Sequence, residues 1–263
     1  MAGGAGSTAN VKQLNAAWDP LQSSDWDKEK PTQICTTRIQ SDLSKILQNP
    51  LPGICVVPDE DNITKLDILI IGPFDTPYEG GFFHFLLRFP PNYPYQSPRV
   101  KLLTTGGGAV RFNPNLYQNG KVCLSILGTW YGPIWTPAQT LQGVLLSIQS
   151  IMNEKPYHNE PGCEQERNPG DVKAYNNIIT HETLRVAVCN SLEGHNKLPP
   201  KLLEVAKTSF TGFYDGYLDT CTKNSSLQGH TMRDPFGQNR GTFDFEKLSS
   251  RLRALHSKLK SST

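Results

Sequence analysis

Apolar residues recur at helical spacing over 32–48. Ile34, Ile39, Leu43, Ile46 and Leu47 form a rough stripe, with Arg38 and Lys45 among the polar positions. NPLPG at 49–53 breaks that pattern. The spacing then becomes that of strands: ICVVP (54–58), KLDILIIG (65–72), FFHFLLRF (82–89) and RVKLLT (99–104). Turn-forming runs DEDN, GPFDTPYEGG and PPNYPYQSP separate them. Four strands with short connections predict an antiparallel meander. An irregular stretch follows over 105–135, in which TGGG is a turn, because no Gly-Lys-Ser/Thr follows it at phosphate-loop spacing.

Helical spacing resumes at WTPAQTLQGVLLSIQSIM (135–152). Thr136 suits the N-cap, Pro137 the first helical position, and Gln139 completes a capping box. Leu141, Val144, Leu145, Ile148, Ile151 and Met152 share one face, which predicts a helix central to the core. A polar loop covers 153–170, and helices are predicted over 171–193 and from 201 to about 223. Residues 227–241 read as irregular, with DPFG as a turn. A closing amphipathic helix over 243–260 carries Leu248, Leu252, Leu255 and Leu259, and leaves Lys247, Arg251, Arg253, Lys258 and Lys260 in water. The fold class is α+β: an N-terminal helix, a four-stranded antiparallel meander, C-terminal helices and a helical C-terminal extension.

Residues 1–17 read as a disordered tail, 18–193 as a core with an N-terminal arm (WDPLQSSDWD), and 194–263 as an extension packed on that core. Seven aromatic residues, from Phe210 to Phe245, are too many for a solvated tail. The 263 residues carry a net charge of +2, so nothing calls for a nucleic acid or an anionic membrane. The strongest apolar run, 66–72, is far too short to span a bilayer, and a soluble monomer is expected. Six scattered cysteines, without a C-x-x-C pair or a histidine cluster, argue against zinc and for reduced thiols in cytoplasm and nucleus.

The candidate chemistry lies in RFNPNLYQNGKVCLSILGTW (111–130). A reactive cysteine there requires an exposed sulfur and a neighbour that handles charge. Cys123 follows the irregular segment, with Asn115 eight residues earlier. A side-chain amide near a thioester carbonyl is a sensible oxyanion donor. A Ser-His-Asp elbow is missing, and no cysteine-helix signature accompanies Cys123 for a papain-like site.

IIGPFDTPYEGGFFHFLLRFPPNYPYQSPRVKLLTT resembles the sheet and proline-rich loop of ubiquitin-conjugating enzymes. NPNLYQNGKVCLSIL resembles their active site, and WTPAQTLQGVLLSIQSIM the helix that follows it. The likeness runs from about 31 to about 192. The cysteine spacing, the LGTWYGPIW insertion, KPYHNEPG and WDPLQSSDWD resemble Z-type members more than the small prototypes. The resemblance implies that Cys123 accepts ubiquitin or a ubiquitin-like modifier as a thioester from an activating enzyme. Transfer to a substrate lysine or a ligase cysteine follows, without metal or organic cofactor. It implies that Asn115 stabilises the oxyanion or holds the loop that does. It assigns Arg38 and Lys45 to the activating enzyme, and Tyr95, Pro137 and Ala138 to ligases.

Three positions depart from the family pattern. Asn113 replaces a histidine whose work in the family is mainly structural. Ser125 stands where many members have aspartate, and the later acidic position falls within 158–160, so His158 or Glu160 is the candidate acceptor-side group. Two other classes remain in view: a non-catalytic scaffold of the same fold, against which Cys123 argues, and a thiol hydrolase, against which the lack of a Cys-His pair argues. In the conjugating enzyme, the extension is expected to add stability; a sharper reading makes it a surface that selects the activating enzyme or modifier.

Overall fold

The computed structural model describes residues 17–261; most of the tail expected at 1–17 lies outside them. The arm comes first. Asp19 caps a short turn at Pro20–Gln22, and helix α1 follows at Ser24–Asp27. Its acidic residues fasten it to the sheet. Asp25 takes both terminal nitrogens of Arg99 at 2.7 and 2.6 Å, Asp27 accepts from Arg88 at 2.6 Å, and Asp19 accepts from Lys101 at 2.5 Å. The Arg99 guanidinium lies 3.8 Å over the ring of Trp26, which is buried.

Helix α2 runs Gln33–Gln48, capped by Thr32, whose hydroxyl accepts from the Cys35 amide. Its buried face is Cys35, Ile39, Asp42 and Ile46. Ile34 and Leu47, expected in the stripe, are exposed at 55% and 77%. The stripe is rotated because Asp42 turns inward: it accepts from Arg38, from the Tyr93 hydroxyl at 2.6 Å and from the Leu141 amide. A carboxylate with that many donors can stay buried.

The meander is as expected: β1 Ile54–Pro58, β2 Lys65–Ile71, β3 Phe82–Arg88 and β4 Arg99–Leu102, antiparallel in the order β1-β2-β3-β4. Ile68 pairs with Phe85, and Leu69 with His84. Side chains alternate between faces. Leu66, Ile68, Ile70, Phe83, Phe85 and Leu87 therefore enter one core, with Ile39 and Ile46 of α2. Leu69 and Phe82 enter a second core on the opposite face. Near-continuous apolar strands such as LDILII suit a sheet covered on both sides.

Helix α3 spans Leu141–Ser150, shorter than the 135–152 expected. Thr140 is the cap and accepts from the Gly143 amide. The predicted cap exists as a separate turn: the Thr136 amide donates to the Gln139 side chain at 2.9 Å. That turn is held off the helix because Arg38 donates to the carbonyls of Pro137 and Gln139, and Trp135 donates to the Pro94 carbonyl. Helix α4, Asp171–Glu182, continues as a π-helix over Thr183–Asn190. This stretch serves both cores, giving Val186 and Ala187 to the first and Leu184, Val188 and Cys189 to the second.

Helix α5, Pro200–Lys223, lies across the outer sheet face through Leu202, Ala206 and Phe210. Its Tyr217 hydroxyl donates to the Gly80 carbonyl at 2.7 Å. Residues 227–241 are not irregular throughout. They hold a hairpin of β5 Thr231–Arg233 and β6 Asn239–Thr242, with the expected turn between them. The hairpin is closed by a buried Asp234–Arg240 ion pair rather than by apolar alternation. Helix α6, Phe245–Lys260, buries Leu248, Leu252 and Leu255 and half-buries Leu259. Lys247, Arg253, Lys258 and Lys260 are exposed, but Arg251 is not left to water: it bonds Glu193 and Asn190. The segment from α5 to α6 is thus part of the folded body.

Candidate active site

The segment after β4 is built around Asn113. This residue is fully buried and donates to the Tyr78 hydroxyl and the Ile151 carbonyl, both at 2.8 Å. Its own oxygen accepts from the Asn115 amide at 2.9 Å and from the Asn159 side chain at 3.3 Å. One side chain therefore ties together the β2–β3 loop, the end of α3, the 156–159 turn and the residue that precedes the cysteine loop. The structural task implied for this position is done by asparagine, which carries both donor and acceptor.

Asn115 meets Cys123 twice. Its carbonyl accepts from the Cys123 amide at 2.9 Å, and its side-chain Nδ2 donates to the Cys123 carbonyl at 2.8 Å. Thr129 straps the two flanking residues. Its hydroxyl donates to the Val122 carbonyl at 2.6 Å and accepts from the Leu124 amide at 3.0 Å. Sequence reading missed Thr129, because nothing distinguishes a strap threonine from a solvated one before the loop closes.

The sulfur is not exposed as expected: Cys123 is 3% accessible. Burial pushes its thiol above the ordinary range, while the charges of Lys121 and Arg111 and a hydrogen bond with Tyr117 favour the thiolate. Arg111 organises this side. It donates to the Pro114 carbonyl at 2.6 Å and to Glu160 at 3.2 Å, and its guanidinium lies 4.3 Å over the Tyr117 ring. The Tyr117 hydroxyl is itself pushed up, first by burial, with the Cys123 sulfur and Glu160 adding to it against Arg111. Glu160 is thus joined to the cysteine through Arg111 and Tyr117. His158 is engaged elsewhere, with Nδ1 2.6 Å from the Cys163 carbonyl and its ring edge-on to Tyr157.

The expected partner-facing residues divide. Lys45 is exposed, whereas Arg38 is a strut whose nitrogens hold Asp42 and the 137–139 carbonyls. Tyr95 is 64% exposed, and Pro137 and Ala138 are open beside it, since Trp135 ties their loop to Pro94. Of the other cysteines, Cys35, Cys163, Cys189 and Cys221 are buried, Cys55 is half-buried, and none of the five is in a disulfide. Among the described residues, no group of His, Cys, Asp and Glu could hold a metal ion, and no helix is long and apolar enough to cross a membrane.

Known proteins match this arrangement. The family model described as "Ubiquitin-conjugating enzyme" matches residues 38–176. The chain is 57% identical over 251 residues to "Ubiquitin-conjugating enzyme E2 Z" of Danio rerio, covering 95% of this chain and 76% of that protein. It is 56% identical over 251 residues to the Homo sapiens protein of the same name, covering 95% and 71%. A shorter match, 52% over 114 residues, covers 41% of this chain and 2% of "Dual E2 ubiquitin-conjugating enzyme/E3 ubiquitin-protein ligase BIRC6" of Homo sapiens. The family match begins at the Arg38 strut and runs on through the sheet and Cys123 into α4, and the chain belongs to the ubiquitin-conjugating enzyme family.

Proposed function

We propose that Cys123 carries the modifier in this ubiquitin-conjugating enzyme. The observation that supports it is the double engagement of Cys123 by Asn115, beside the Tyr117–Arg111–Glu160 chain. As a family member, the protein works with ubiquitin, an activating enzyme and ligases. The Cys123 thiolate attacks the carbonyl carbon of the incoming thioester, a tetrahedral oxyanion forms, and the donor sulfur leaves. In the second step a lysine nitrogen, or a ligase sulfur, attacks the new thioester. The bond to Cys123 Sγ breaks, the amine loses its proton, and the thiol is regenerated. Exchange of one thioester for another is nearly balanced, so no cofactor is needed.

Asn115 is assigned to the oxyanion as well as to the loop, and Glu160, rather than His158, to the incoming lysine. Lys45 is assigned to the activating enzyme, with Arg38 supporting the ligase-facing loop of Tyr95, Pro137 and Ala138. The modifier is ubiquitin or a ubiquitin-like protein, as the name of the E2 Z relatives suggests for the former. A monomer acting in cytoplasm and nucleus, with neither nucleic acid nor membrane as partner, fits the six unpaired cysteines and the near-neutral charge. Incubation with activating enzyme, ATP and ubiquitin tests the site. Wild type gains one reducible ubiquitin, and Cys123→Ser gains one that resists reductant. Charging of Cys123→Ala through another cysteine overturns the assignment.

A further inference from the structure

The extension reaches the active site through its hairpin. Helices α5 and α6 pack on the outer sheet face, in the second core. Among the described residues after 194, only Phe236, in the turn of the β5–β6 hairpin, packs against the first core. Its ring is stacked on Tyr157, with centroids 5.3 Å apart, and stands edge-on to Tyr175 at 5.1 Å. Tyr157 lies three residues before Glu160. The same hairpin also meets the other arm of the site. Arg240 donates from Nε to Asp234 at 2.7 Å and from Nη2 to the Arg111 carbonyl at 2.8 Å.

Arg111 carries this contact inward. Its side chain holds the Pro114 carbonyl, Glu160 and the Tyr117 ring. The hairpin thus grips the Arg111–Glu160 pair at both ends, by the backbone of residue 111 and by Tyr157. Burial pushes the Tyr175 hydroxyl up, and the charges of Arg240, Asp234, Arg111 and Glu160 all bear on it, which puts these groups in one cluster. As a stability device the ion pair is poor. The Arg240 and Asp234 side chains are 3% and 0% exposed, and Arg240 Nη1 is buried without a hydrogen-bond partner among the described residues. A buried pair of this kind is often no better than apolar residues of the same volume. Apolar residues cannot supply a rigid fork that holds Asp234 and the Arg111 carbonyl in fixed directions.

We propose that Arg240 and Phe236 are positioning residues for transfer to lysine: they hold Arg111 and the 157–160 turn together, so that Glu160 is in place for the incoming amine. The inference rests on the assignment of Glu160 to that amine. It adds a support from beyond the family match, which ends at residue 176. A lysine is protonated at neutral pH and must lose a proton to attack, whereas part of a thiol is already thiolate. The two kinds of acceptor therefore depend on Glu160 to different degrees.

The test follows single-turnover discharge of the charged full chain to free lysine and to free cysteine, with charging and thermal melting alongside. Arg240→Lys keeps a cation for Asp234 but has no fork to hold the Arg111 carbonyl as well. Phe236→Leu keeps apolar bulk and loses the stack on Tyr157. Each variant should slow discharge to lysine at least about fivefold, with charging and discharge to cysteine changed less than about twofold. In a Glu160→Gln background each should slow lysine discharge less than about twofold further, as residues that act through one group do. Equal losses with both acceptors, or in both backgrounds, mean a merely structural role and overturn the proposal. Folded variants that discharge to lysine at the wild-type rate also overturn it, and slowing by Glu160→Gln alone then keeps the Glu160 assignment. If Glu160→Gln has no effect on lysine discharge, that assignment fails and the positioning claim with it. Should Arg240→Lys fail to fold, Phe236→Leu, at a half-buried position, decides by the same criteria.

Discussion

Replacing Asn115 with alanine separates two tasks that meet on one amide. The structure puts Asn115 Nδ2 2.8 Å from the Cys123 carbonyl, a bond that holds the loop in the resting enzyme. The backbone bond between the same residues, 2.9 Å, survives the substitution. Losing one neutral, partly buried hydrogen bond costs about 1 kcal/mol. That lowers the melting temperature by roughly 2–4 °C in a chain of this size. If holding the loop were the whole role, the same loss in the transition state would slow transfer about fivefold. Nδ2 has a second N–H, and it is bonded to the residue whose sulfur is proposed to carry the acyl group. Loss of an oxyanion donor costs about 3 kcal/mol, on the order of a hundredfold in rate. The expected outcome for Asn115→Ala is therefore a small loss of stability, unchanged saturation by lysine, and discharge slowed about a hundredfold or more. Single-turnover discharge of charged enzyme to free lysine measures the rate, with thermal melting alongside. A folded Asn115→Ala enzyme slowed by only about fivefold would show that the amide is a clamp and nothing more.

Truncation after residue 192 bares Leu69 and Phe82 on the outer sheet face, and the product should aggregate or lose its cooperative melt; a melt like that of the full chain refutes the docking of the extension. Because burial holds the Cys123 thiol up, alkylation by iodoacetamide should climb about tenfold per pH unit from 7 to 9 without a plateau, and Lys121→Glu should slow it further at pH 8. Glu160→Gln should slow lysine discharge about tenfold or more, and His158→Ala less than about twofold; the reverse order returns the acceptor-side role to the histidine. Against the cost of burial, hydrogen bonds from His181 and Arg185 hold the Glu182 carboxyl below its ordinary 4.5. Its contribution is therefore present above that value and is lost as pH falls through the lower folded value, so wild type should lose more melting temperature than Glu182→Gln between pH 5 and about 3.

What the sequence carries well is periodic. The strand runs and the apolar faces of α3 and α6 are visible because their spacing is set by local geometry. The cysteine, Asn115 and Asn113 are visible because a motif fixes their order. The errors are tertiary. Ile34 and Leu47 match the α2 stripe, but Asp42 claims the inward face once Tyr93 and Arg38 reach it. Thr136–Gln139 has capping chemistry, but Arg38 takes the carbonyls around it, and the helix begins later at Thr140. The β5–β6 hairpin depends on an ion pair between residues that look like any solvated charges. The burial of Cys123, the bond from Arg111 to Glu160 and the Thr129 strap all depend on contacts between separate loops, which spacing does not encode.

The two-sided sheet has a consequence in time. Its strands are all made once Leu102 leaves the ribosome, but the second core is begun only by Ile178 and Leu184 and completed by α5, from Leu202 onward, and by α6. At roughly 5–20 residues per second, about a hundred residues of synthesis take on the order of 5–20 seconds. For that interval the face that carries Leu69 and Phe82 lacks most of its cover. A growing chain with such a face pairs readily with its neighbours on the same message. The late cover that makes the finished protein a single body is therefore expected to leave its nascent form open to chaperones until the segment from α4 onward has been made.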